Sequence, residues 1–459
     1  MLHKWLLSSL ALAAIASAHE SSFEVRRSHA LLRRQSTPSN AADAAKIYGI
    51  EQECTQYGDD NLTKMITDKQ LPEASQIATI VDGDSEAQQV WKDIQSSGII
   101  PSSVKVKTGT SGNMGIDPTA QSSYDKSDPD CWWTFNRCTE PKSDNIPTDI
   151  SSCPEPSTWG LTFDDGPNCS HNEFYDYLQQ QKLRATMFYI GTNIVNHPYQ
   201  AQRVIADGHD VCVHTWSHHY MTTLSNEQVF AELYYTGKII KAVLGVTPRC
   251  WRPPFGDVDD RVRAIAAGLG MRTILWQQDT NDWELGSGQA TKDQIEGWYT
   301  NIINKASNES PIVLTHEISN ATMSMFESQA PNIQKAYKNV VPLTACLNVT
   351  NPYPEDITYP DFKAFTSGTL DPKNKPDIAS VKVDASATYS PVALSKQTQS
   401  GSYMSPGSGS GSSDSSGSSS SSSSGSGSNS NSSSSAFKIG AISAYATAIT
   451  LASMAVVFL

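Results

Sequence analysis

The chain has few basic residues for its length. Its 459 residues include 34 lysines and arginines against 47 aspartates and glutamates, so the formal net charge at pH 7 is -13. The sequence pI is about 5.2. Proteins that bind nucleic acid use an excess of Lys and Arg to neutralise phosphates. The composition therefore argues against nucleic acid as a partner.

Residues 19–156 lack any motif that indicates a function. This N-terminal extension is long enough to form a small accessory layer. Its run Cys131-Trp132-Trp133 allows two interpretations. The tryptophans can form a sugar-stacking site, but we favour aromatic packing against the rest of the protein.

The first chemically informative segment is an apolar run that ends in two adjacent carboxylates. Residues 159–163 are apolar, Asp164 and Asp165 follow, and a Gly-Pro pair ends the segment. A strand that stops at two consecutive aspartates places two differently oriented acids at the rim of a sheet. Such a rim is where a metal ligand and a general base are required. Taken alone, however, adjacent aspartates are more often a solvated turn.

Two histidines at a spacing of four form the second segment. A short apolar strand leads into His214 and His218, and one helical turn or a tight loop brings both imidazoles onto one face. Two histidines and one aspartate form a three-ligand set. Such a set leaves positions on a zinc-like ion open for water and substrate, as in catalytic sites. We interpret His209 and His219 as packing or surface residues.

Three further strand ends carry polar residues. Arg252 precedes a kinked Pro-Pro loop that contains Phe255, and this loop can aim the guanidinium and the Phe255 N–H into one cavity. Asp279 offers Arg252 a carboxylate partner, Trp283 follows as an aromatic wall, and a buried-type strand ends at His316. Each has a structural alternative: an Arg252–Asp279 ion pair, a core tryptophan and a capped core histidine. Packing alone poorly explains five polar strand ends together.

In this order, the five segments resemble the motifs of the polysaccharide deacetylases of carbohydrate esterase family 4, also called the NodB-homology fold. Within that family, the chain most resembles the fungal chitin deacetylases. The similarity covers roughly residues 157–351. It implies that Asp164 is the catalytic base and that Asp165, His214 and His218 hold the metal.

The resemblance also implies roles for the remaining segments. Arg252 would orient Asp164 with help from Asp279, and the Phe255 N–H would help to form an oxyanion hole. His316 would be the catalytic acid. Many relatives have Tyr at the position of Phe255, but the implied contact comes from the backbone. Two further residues would shape the acetyl pocket, Trp283 and Leu314.

The activity that this resemblance implies is the metal-dependent hydrolysis of N-acetyl groups of N-acetylglucosamine residues in cell-wall chitin, which gives chitosan and acetate. One divalent ion, zinc or cobalt, would lower the pKa of water from about 16 toward ~7, so that Asp164 can complete its deprotonation. The ordinary pKa of a histidine suits His316 to protonating the leaving nitrogen, and a nearby carboxylate would raise this pKa. We expect a monomeric hydrolase whose partner is chitin or another N-acetylglucosamine polymer.

Two alternative functions stay open at this point. One is an O-acetyl esterase that acts on another acetylated polysaccharide. The other is a catalytically silent wall protein that binds chitin without releasing acetate. A glycosidase would shorten the polymer instead and expose new reducing ends.

The N-terminal end predicts export. Residues 1–18 contain a basic residue, an apolar stretch and a small-residue end, which is typical of a cleaved signal peptide. The dibasic pairs Arg26-Arg27 and Arg33-Arg34 indicate either a short pro-segment, removed at about residue 34, or a basic surface patch. We therefore expect a secreted protein.

The C-terminal part combines a Ser/Gly-rich stalk, residues 397–435, with an apolar segment, residues 436–459. This order is typical of a glycosylphosphatidylinositol (GPI) anchor signal that is removed, with attachment near Asn429, Ser430 and Asn431. A single-pass tail anchor is the alternative, and the missing basic flank disfavours it. The GPI lipid would hold the protein at the outer face of the plasma membrane or in the cell wall.

The eight cysteines are even in number, so disulfides are expected in an oxidising compartment. Cys153 and Cys346 bracket the region of family similarity and suit a clasp, and Cys131 with Cys138 can close a small loop. Cys212 can be a simple core residue. N-glycosylation sequons occur at Asn61, Asn168, Asn308, Asn320 and Asn348. A glycan at Asn168 would crowd the cleft next to Asp164 and Asp165.

The order of segments predicts an α/β fold. Short apolar strands alternate with helical stretches, which favours a parallel sheet; the strands are predicted at 159–163, 186–190, 210–214, 272–276 and 312–315. The clearest helix, residues 226–244, is capped by Ser225 with Gln228 and ends at Gly245. Functional residues at the carboxyl ends of strands suit a barrel. The resemblance implies a distorted, incompletely closed (β/α) barrel at 157–351, between extensions at 19–156 and 352–396.

Overall fold

The computed structural model describes residues 37–403, except residue 56. The predicted signal peptide, pro-segment, anchor signal and anchor attachment residues lie outside this range, as does the stalk beyond residue 403. Their boundaries stay predictions. In residues 37–55 and 57–403, no helix is both long and apolar enough to cross a membrane.

Parallel strands form one sheet at the centre of the part of the chain that the structure describes. The strands are β1 Thr158–Gly166, β2 Thr186–Tyr189, β3 Asp210–Val213, β4 Cys250–Trp251, β5 Arg272–Thr273, β6 Gln278–Asp279, β7 Ile312–Leu314 and β8 Asn339–Val341. They pair in the order β5-β4-β3-β2-β1-β7-β6, and β8 pairs with the start of β1. Each pairing between these strands is parallel.

The two edge strands of the sheet, β5 and β6, follow one another in the chain, so the sheet curls into an open barrel. Residues 272–279 act as one interrupted strand, because β5 pairs with β4 whereas β6 pairs with β7. Ile150 fills the interruption: its N–H donates to the Thr273 carbonyl (3.1 Å) and its carbonyl accepts from the Leu275 N–H (2.7 Å). The prediction of a distorted, incompletely closed (β/α) barrel is confirmed. The continuous strand predicted at 272–276 is wrong, because this strand ends at Thr273.

Helices connect the strands and cover the sheet. Those of the N-terminal extension are Ala41–Ala44, Ile50–Glu53, Asp60–Thr67, Ser85–Ser96, Pro118–Ser122 and Trp133–Asn136. Those that follow are Asn172–Gln180, Gly191–Asn196, Pro198–Ala206, Asn226–Leu244, Asp260–Gly268, Glu284–Ser287, Lys292–Ile303, Asn320–Ala336, Leu343–Cys346 and Phe362–Thr366. Short 3-10 turns lie at Ser111–Asn113, Met221–Thr223, Pro254–Gly256 and Leu394–Lys396.

The helix Asn226–Leu244 has the bounds that the sequence predicts. Ser225 and Gln228 cap its start reciprocally, and Gly245 ends it in the left-handed region at φ 78°. These contacts satisfy N–H and C=O groups that the ends of a helix leave unpaired. Most of the helix is buried, because it packs against β3 on one side and against the helix Ser85–Ser96 of the N-terminal extension on another.

Strand β1 is buried along its whole length. Strands of a parallel sheet are covered on both faces, so they are apolar almost without interruption. Trp159, Leu161 and Phe163 follow this rule and are fully buried. The first charged side chains of β1 are Asp164 and Asp165, at its carboxyl end. The core therefore ends where the candidate site begins.

Four disulfides join the described cysteines: Cys54–Cys169, Cys131–Cys138, Cys153–Cys346 and Cys212–Cys250. The two pairs suggested by the sequence are confirmed. Cys212 is not a simple core residue, because its disulfide joins β3 to β4. Cys54 ties the N-terminal extension to the segment that follows the two aspartates of β1.

The N-terminal extension packs on the barrel through buried aromatic residues. Trp132 is 1% and Trp133 is 7% exposed, so the interpretation of a sugar-stacking site is wrong and that of packing is confirmed. Trp132 Nε1 donates to Asp257 Oδ1 (2.9 Å). Trp133 lies against Gly256, where an added Cβ would be 2.3 Å from the indole ring. The extension thus supports the loop that follows Arg252.

The segment after residue 351 reaches the opposite end of the barrel, where the strands start. Gln397 Nε2 donates to the carbonyl of Gly270, which precedes β5 (2.9 Å). Gln399 Oε1 accepts from Arg249, which precedes β4 (2.5 Å). Tyr403 is fully buried, and burial together with the nearby Asp210 carboxyl raises the pKa of its hydroxyl well above the usual value. The described chain therefore ends at the start of β3.

Candidate active site

Asp164 and Asp165 point in different directions because the backbone turns between them. The Asp164 N–H donates to the Thr315 carbonyl (2.9 Å), and the Asp164 carbonyl accepts from the Glu317 N–H (3.0 Å), so this residue continues the sheet. Asp165 has a φ of 69°, in the left-handed region that non-glycine residues rarely adopt. Such backbone conformations persist where the surroundings enforce them, and they are concentrated at functional sites.

Asp165, His214 and His218 form the three-residue group predicted as a metal site. Their ligand atoms all lie within 4.8 Å of one another. Asp165 Oδ1 is 3.4 Å from His214 Nε2 and 3.1 Å from His218 Nε2. This oxygen is buried and accepts no hydrogen bond within the described chain. A buried, unsatisfied carboxylate oxygen between two imidazole nitrogens fits a divalent ion with N and O ligands.

The charge state of Asp165 agrees with this assignment. Burial alone would raise the pKa of its carboxyl, but the two neighbouring imidazoles hold the pKa well below its usual range. The carboxylate is thus ionised at neutral pH, as a metal ligand must be.

His214 is held in the orientation that frees its Nε2. It directly follows β3, and its Nδ1 lies 2.8 Å from the carbonyl oxygen of Arg252. A hydrogen bond from Nδ1–H to a carbonyl fixes the tautomer of a ligating histidine. Its Nε2 is then free to act as a ligand beside Asp165.

Arg252 fixes one oxygen of Asp164. It is fully buried, and its Nη1 donates to Asp164 Oδ1 (2.6 Å) and to Thr162 Oγ1 (2.9 Å). The guanidinium also lies 4.0 Å from the centre of the Phe188 ring. A buried guanidinium with such contacts has little freedom, so Asp164 is held in one orientation.

Asp279 does not pair directly with Arg252. Its Oδ1 accepts from the N–H of Asn281 (2.8 Å), and the described chain contains no ion pair between Asp279 and Arg252. Burial raises the pKa of the Asp279 carboxyl. Its charge nevertheless favours the protonated form of Arg252. The role of Asp279 in orienting the base therefore stays a prediction. In that role, the charge of Asp279 would act on Arg252 over a longer distance than a direct ion pair.

His316 pairs with Asp282, a residue that the sequence did not single out. His316 Nδ1 is 2.6 Å from Asp282 Oδ1, and the His316 N–H donates to Asp282 Oδ2 (3.0 Å). Burial opposes protonation of the imidazole, but Asp282 outweighs it and raises the pKa of His316 to about 10. From the sequence, we expect only that a nearby carboxylate would raise this pKa, without naming the residue. Asp282 lies three residues after Asp279, the last residue of β6.

Phe255 lies in a strained loop beside the metal group. It has a φ of 58° and is 39% exposed. Its ring stacks on Tyr220 at 4.2 Å and meets the edge of His218 at 4.7 Å. The loop is thus placed next to the histidines, as its predicted part in an oxyanion hole requires. That part stays a prediction.

The remaining predicted residues also lie near the strand ends. Leu314 is the buried last residue of β7, and Trp283 is 38% exposed directly after Asp282. Their acetyl-pocket role stays a prediction. The packing prediction for His209 is confirmed, because it is fully buried and its Nδ1 accepts from the Ala185 N–H (3.0 Å). His219 is half-buried and contacts Ser217 Oγ (2.8 Å).

The sequons differ in how far their side chains are engaged. Asn168 Nδ2 donates to the carbonyl of Ile318 (2.9 Å) and its Oδ1 accepts from Ser170, so a glycan there would displace these bonds. Asn320 also accepts from Ser170. Asn308 is exposed. Asn61 Nδ2 bonds to the Val383 carbonyl, and Asn348 Oδ1 accepts from the Phe362 N–H. Glycosylation of these residues stays a prediction.

Comparison with known proteins agrees with the geometry. The family described as polysaccharide deacetylase matches residues 151–274. The chain is 49% identical over 347 residues to chitin deacetylase 2 of Cryptococcus neoformans var. grubii, covering 74% of both chains. It is 46% identical over 312 residues to the chitin deacetylase of Amylomyces rouxii, covering 66% of this chain and 72% of that one.

A solved structure is also similar. The chitin deacetylase of Colletotrichum lindemuthianum is 27% identical, with a TM-score of 0.41, over 45% of this chain and 95% of that one. The long alignment to Cryptococcus neoformans carries the assignment, because it spans about three quarters of both proteins at nearly half identity. The chain therefore belongs to the polysaccharide deacetylase family.

Proposed function

We propose that the protein hydrolyses the N-acetyl groups of N-acetylglucosamine residues in chitin and releases chitosan and acetate. The observation that carries this proposal is the grouping of Asp165, His214 and His218 beside two polar pairs, Arg252–Asp164 and His316–Asp282. Metal ligands, a base and an acid are the groups that the hydrolysis of an amide requires. The names of the similar fungal proteins favour chitin as the substrate.

Asp164 is the proposed base. Arg252 holds its Oδ1, so its Oδ2, which lies 3.8 Å from His214 Nε2, faces the metal group. Asp165, His214 and His218 would hold a divalent ion, zinc or cobalt, which would supply Lewis acidity for the acetamide carbonyl and for water. The fixed carboxylate then takes the proton from the attacking water, and Arg252 prevents Asp164 from rotating away.

His316 is the proposed acid. Asp282 accepts from Nδ1, so Nε2 is the nitrogen left to protonate the leaving nitrogen, and it carries that proton when the imidazole is cationic. The pKa of about 10 keeps the imidazole protonated at neutral pH. The proton is therefore in place before the C–N bond breaks. The N–H of Phe255 would stabilise the oxyanion, and Leu314 and Trp283 would enclose the acetyl group.

The proposed location is outside the cell, with a GPI lipid at the plasma membrane or in the cell wall and the protein as a monomer. Four disulfides support an oxidising compartment. A phospholipase that cleaves phosphatidylinositol should release the protein from membranes, and deletion of residues 436–459 should send it to the medium. A truncated chain that stays on membranes contradicts the anchor.

Acetate release from chitin oligomers tests the proposed reaction. We expect release by the wild type, loss of release with a chelator and recovery when zinc or cobalt is added back. Asp164→Asn should keep the metal and lose about 10²–10⁴ of the rate, the usual contribution of a general base. A wild type that binds chitin but never releases acetate would support the silent binding protein. Acetate from acetylated xylan alone would support the O-acetyl esterase, and new reducing ends would support a glycosidase.

A further inference from the structure

Glu232 lies in the middle of the helix Asn226–Leu244 and is fully buried. Its Oε2 accepts from the N–H groups of Trp216 (2.8 Å) and Ser217 (2.9 Å). Its Oε1 accepts from Ser217 Oγ (2.6 Å) and from the N–H of Ala78 (2.8 Å). Burying a carboxylate costs free energy unless hydrogen-bond donors surround it. Four donors satisfy Glu232, which indicates that its role is to bind these groups.

Three of these four donors belong to two residues that lie between the two histidines of the metal group. Trp216 and Ser217 are the central residues of the loop from His214 to His218. Thr215 has a φ of 66° and His218 has a φ of 57°. Non-glycine residues adopt such conformations at a cost of about 1–3 kcal/mol each, and surrounding contacts must hold them. Glu232 supplies contacts of this kind at the centre of the loop.

The same carboxylate connects the loop to the N-terminal extension. Ala78 belongs to that extension, and Trp216 Nε1 also donates to the carbonyl of Glu73 (3.0 Å). On the barrel side, the Trp216 carbonyl accepts from Thr192 Oγ1 (2.8 Å). The Thr192 hydroxyl in turn accepts from the N–H of Ser75 (3.1 Å). The extension thus contributes to the support of the metal loop, although its sequence contains no functional motif.

We propose that Glu232 is a positioning residue: it holds the loop between His214 and His218, and it links the 73–78 segment to that loop, so that both imidazoles face one ion. This inference rests on the proposed metal site. Glu232 is not a member of the three-residue metal group. It acts through backbone N–H groups that determine where the two rings lie.

Glu232→Gln in the full chain tests the inference. The glutamine keeps one acceptor oxygen, but its amide nitrogen would face N–H or O–H donors and leave them unsatisfied. We expect zinc affinity of the metal-stripped protein, measured by calorimetric titration with Zn²⁺, to fall by at least about tenfold, as for other residues that orient metal ligands. Acetate release at saturating zinc should fall less than zinc affinity does.

Glu355→Gln is the matched control. Glu355 also accepts several hydrogen bonds, from the N–H and hydroxyl of Thr247 and from Lys241, but none from the metal loop. We expect this variant to lose thermal stability and to keep wild-type zinc affinity. Unchanged zinc affinity in Glu232→Gln, with a thermal midpoint lowered as in Glu355→Gln, would show a merely structural role and overturn the inference.

Two outcomes separate this inference from the proposed function. A wild type that binds no Zn²⁺ overturns the metal site, and the inference with it. If Glu232→Gln does not fold, Ser217→Ala decides, because it removes the hydroxyl bond to Glu232 and leaves the three backbone bonds, two from the loop and one from Ala78. Zinc affinity several-fold below wild type in Ser217→Ala supports the inference, and wild-type affinity overturns it.

Discussion

Asp165 and Asp210 are buried aspartates of the same sheet, but they lie at opposite ends of it and differ in protonation. Burial raises the pKa of Asp210, at the start of β3, to about 7. Burial acts in the same direction on Asp165, at the end of β1, but two imidazoles hold its pKa well below the usual range. The comparison teaches that the neighbours, and not burial alone, determine the charge of an aspartate in this barrel.

The neighbours at the two ends differ in kind. Both oxygens of Asp210 accept from the hydroxyl of Thr186 (3.0 and 2.9 Å), and the buried Tyr353, Tyr359 and Tyr403 lie nearby. These groups are neutral, and they seal the end where the strands start. The carboxyl ends of the strands instead bring together the Asp164–Arg252 ion pair and the group of Asp165 with two imidazoles. We therefore expect the strand starts to serve stability and the strand ends to serve chemistry.

Removing a metal ligand tests this division most severely. Asp165→Ala and His218→Ala should lose bound zinc and should reduce acetate release by about 10³-fold or more, since a metal ion supplies several kcal/mol of transition-state stabilisation. Asp210→Asn, at the other end, should keep both zinc and activity. Metal content after gel filtration and acetate release measure these effects. An active, zinc-free Asp165→Ala protein would break the comparison.

Replacing the acid should have the next largest effect. His316→Ala should lose about 10²–10⁴ of the rate on an acetamide, the usual contribution of a general acid. It should lose less on an aryl acetate, whose leaving group departs without a proton. Arg252→Ala should reduce both rates alike, because both reactions need Asp164 in place. Equal losses on amide and ester in His316→Ala protein that retains its metal would show that the histidine does not donate a proton.

Asp282→Asn should sharpen the comparison, because it removes the charge that raises the pKa of His316 to about 10. The pKa of His316 should then fall toward its ordinary value of about 6.5. NMR titration of the metal-free protein measures this pKa. With the lower pKa, His316 loses its proton at lower pH, so amide hydrolysis should decline at lower pH in the variant. A pKa that stays near 10 would rule out Asp282 as the cause.

Asp210 should have the smallest effect on activity, and its effect concerns stability. Its folded-state pKa of about 7 lies above the unfolded value of about 3.9, so the folded protein binds more protons between these limits. This contribution to stability is present near pH 4 and is lost as the pH rises toward 7, on the order of 1.4 kcal/mol per pH unit. Urea unfolding across this range should therefore show a steeper loss in the wild type than in Asp210→Asn. Parallel curves would contradict the raised pKa.

The features that sequence reasoning predicted well depend on local pattern. The helix Asn226–Leu244 has strong caps at both ends, and the buried β1 ends at its first charged residues. Motifs at strand ends indicated the site residues, and the family resemblance of these motifs implied the open barrel and the role of each residue. The structure brings together five of these residues, Asp164, Asp165, His214, His218 and Arg252.

The features that sequence reasoning missed depend on contacts between distant segments. Asp282 is bonded to a residue 34 positions away, and Glu232 bonds to Ala78 across 154 positions. The Cys212–Cys250 disulfide needs β3 and β4 to be neighbours, which no local pattern states. The break between β5 and β6 depends on Ile150, which belongs to the N-terminal extension. Only the folded arrangement supplies these pairs.

The position of Tyr403 has a practical consequence for attaching the enzyme to a support. The described chain ends at the strand starts, where the Asn351 N–H also donates to the Gly401 carbonyl (2.9 Å). Asp164 and His316 are paired at the other end of the sheet, near the carboxyl end of β1. A bead or fusion partner joined directly after residue 403 would thus be attached at the end of the barrel where the strands start. The proposed base and acid would then lie on the side away from the support, where they stay accessible to a large substrate.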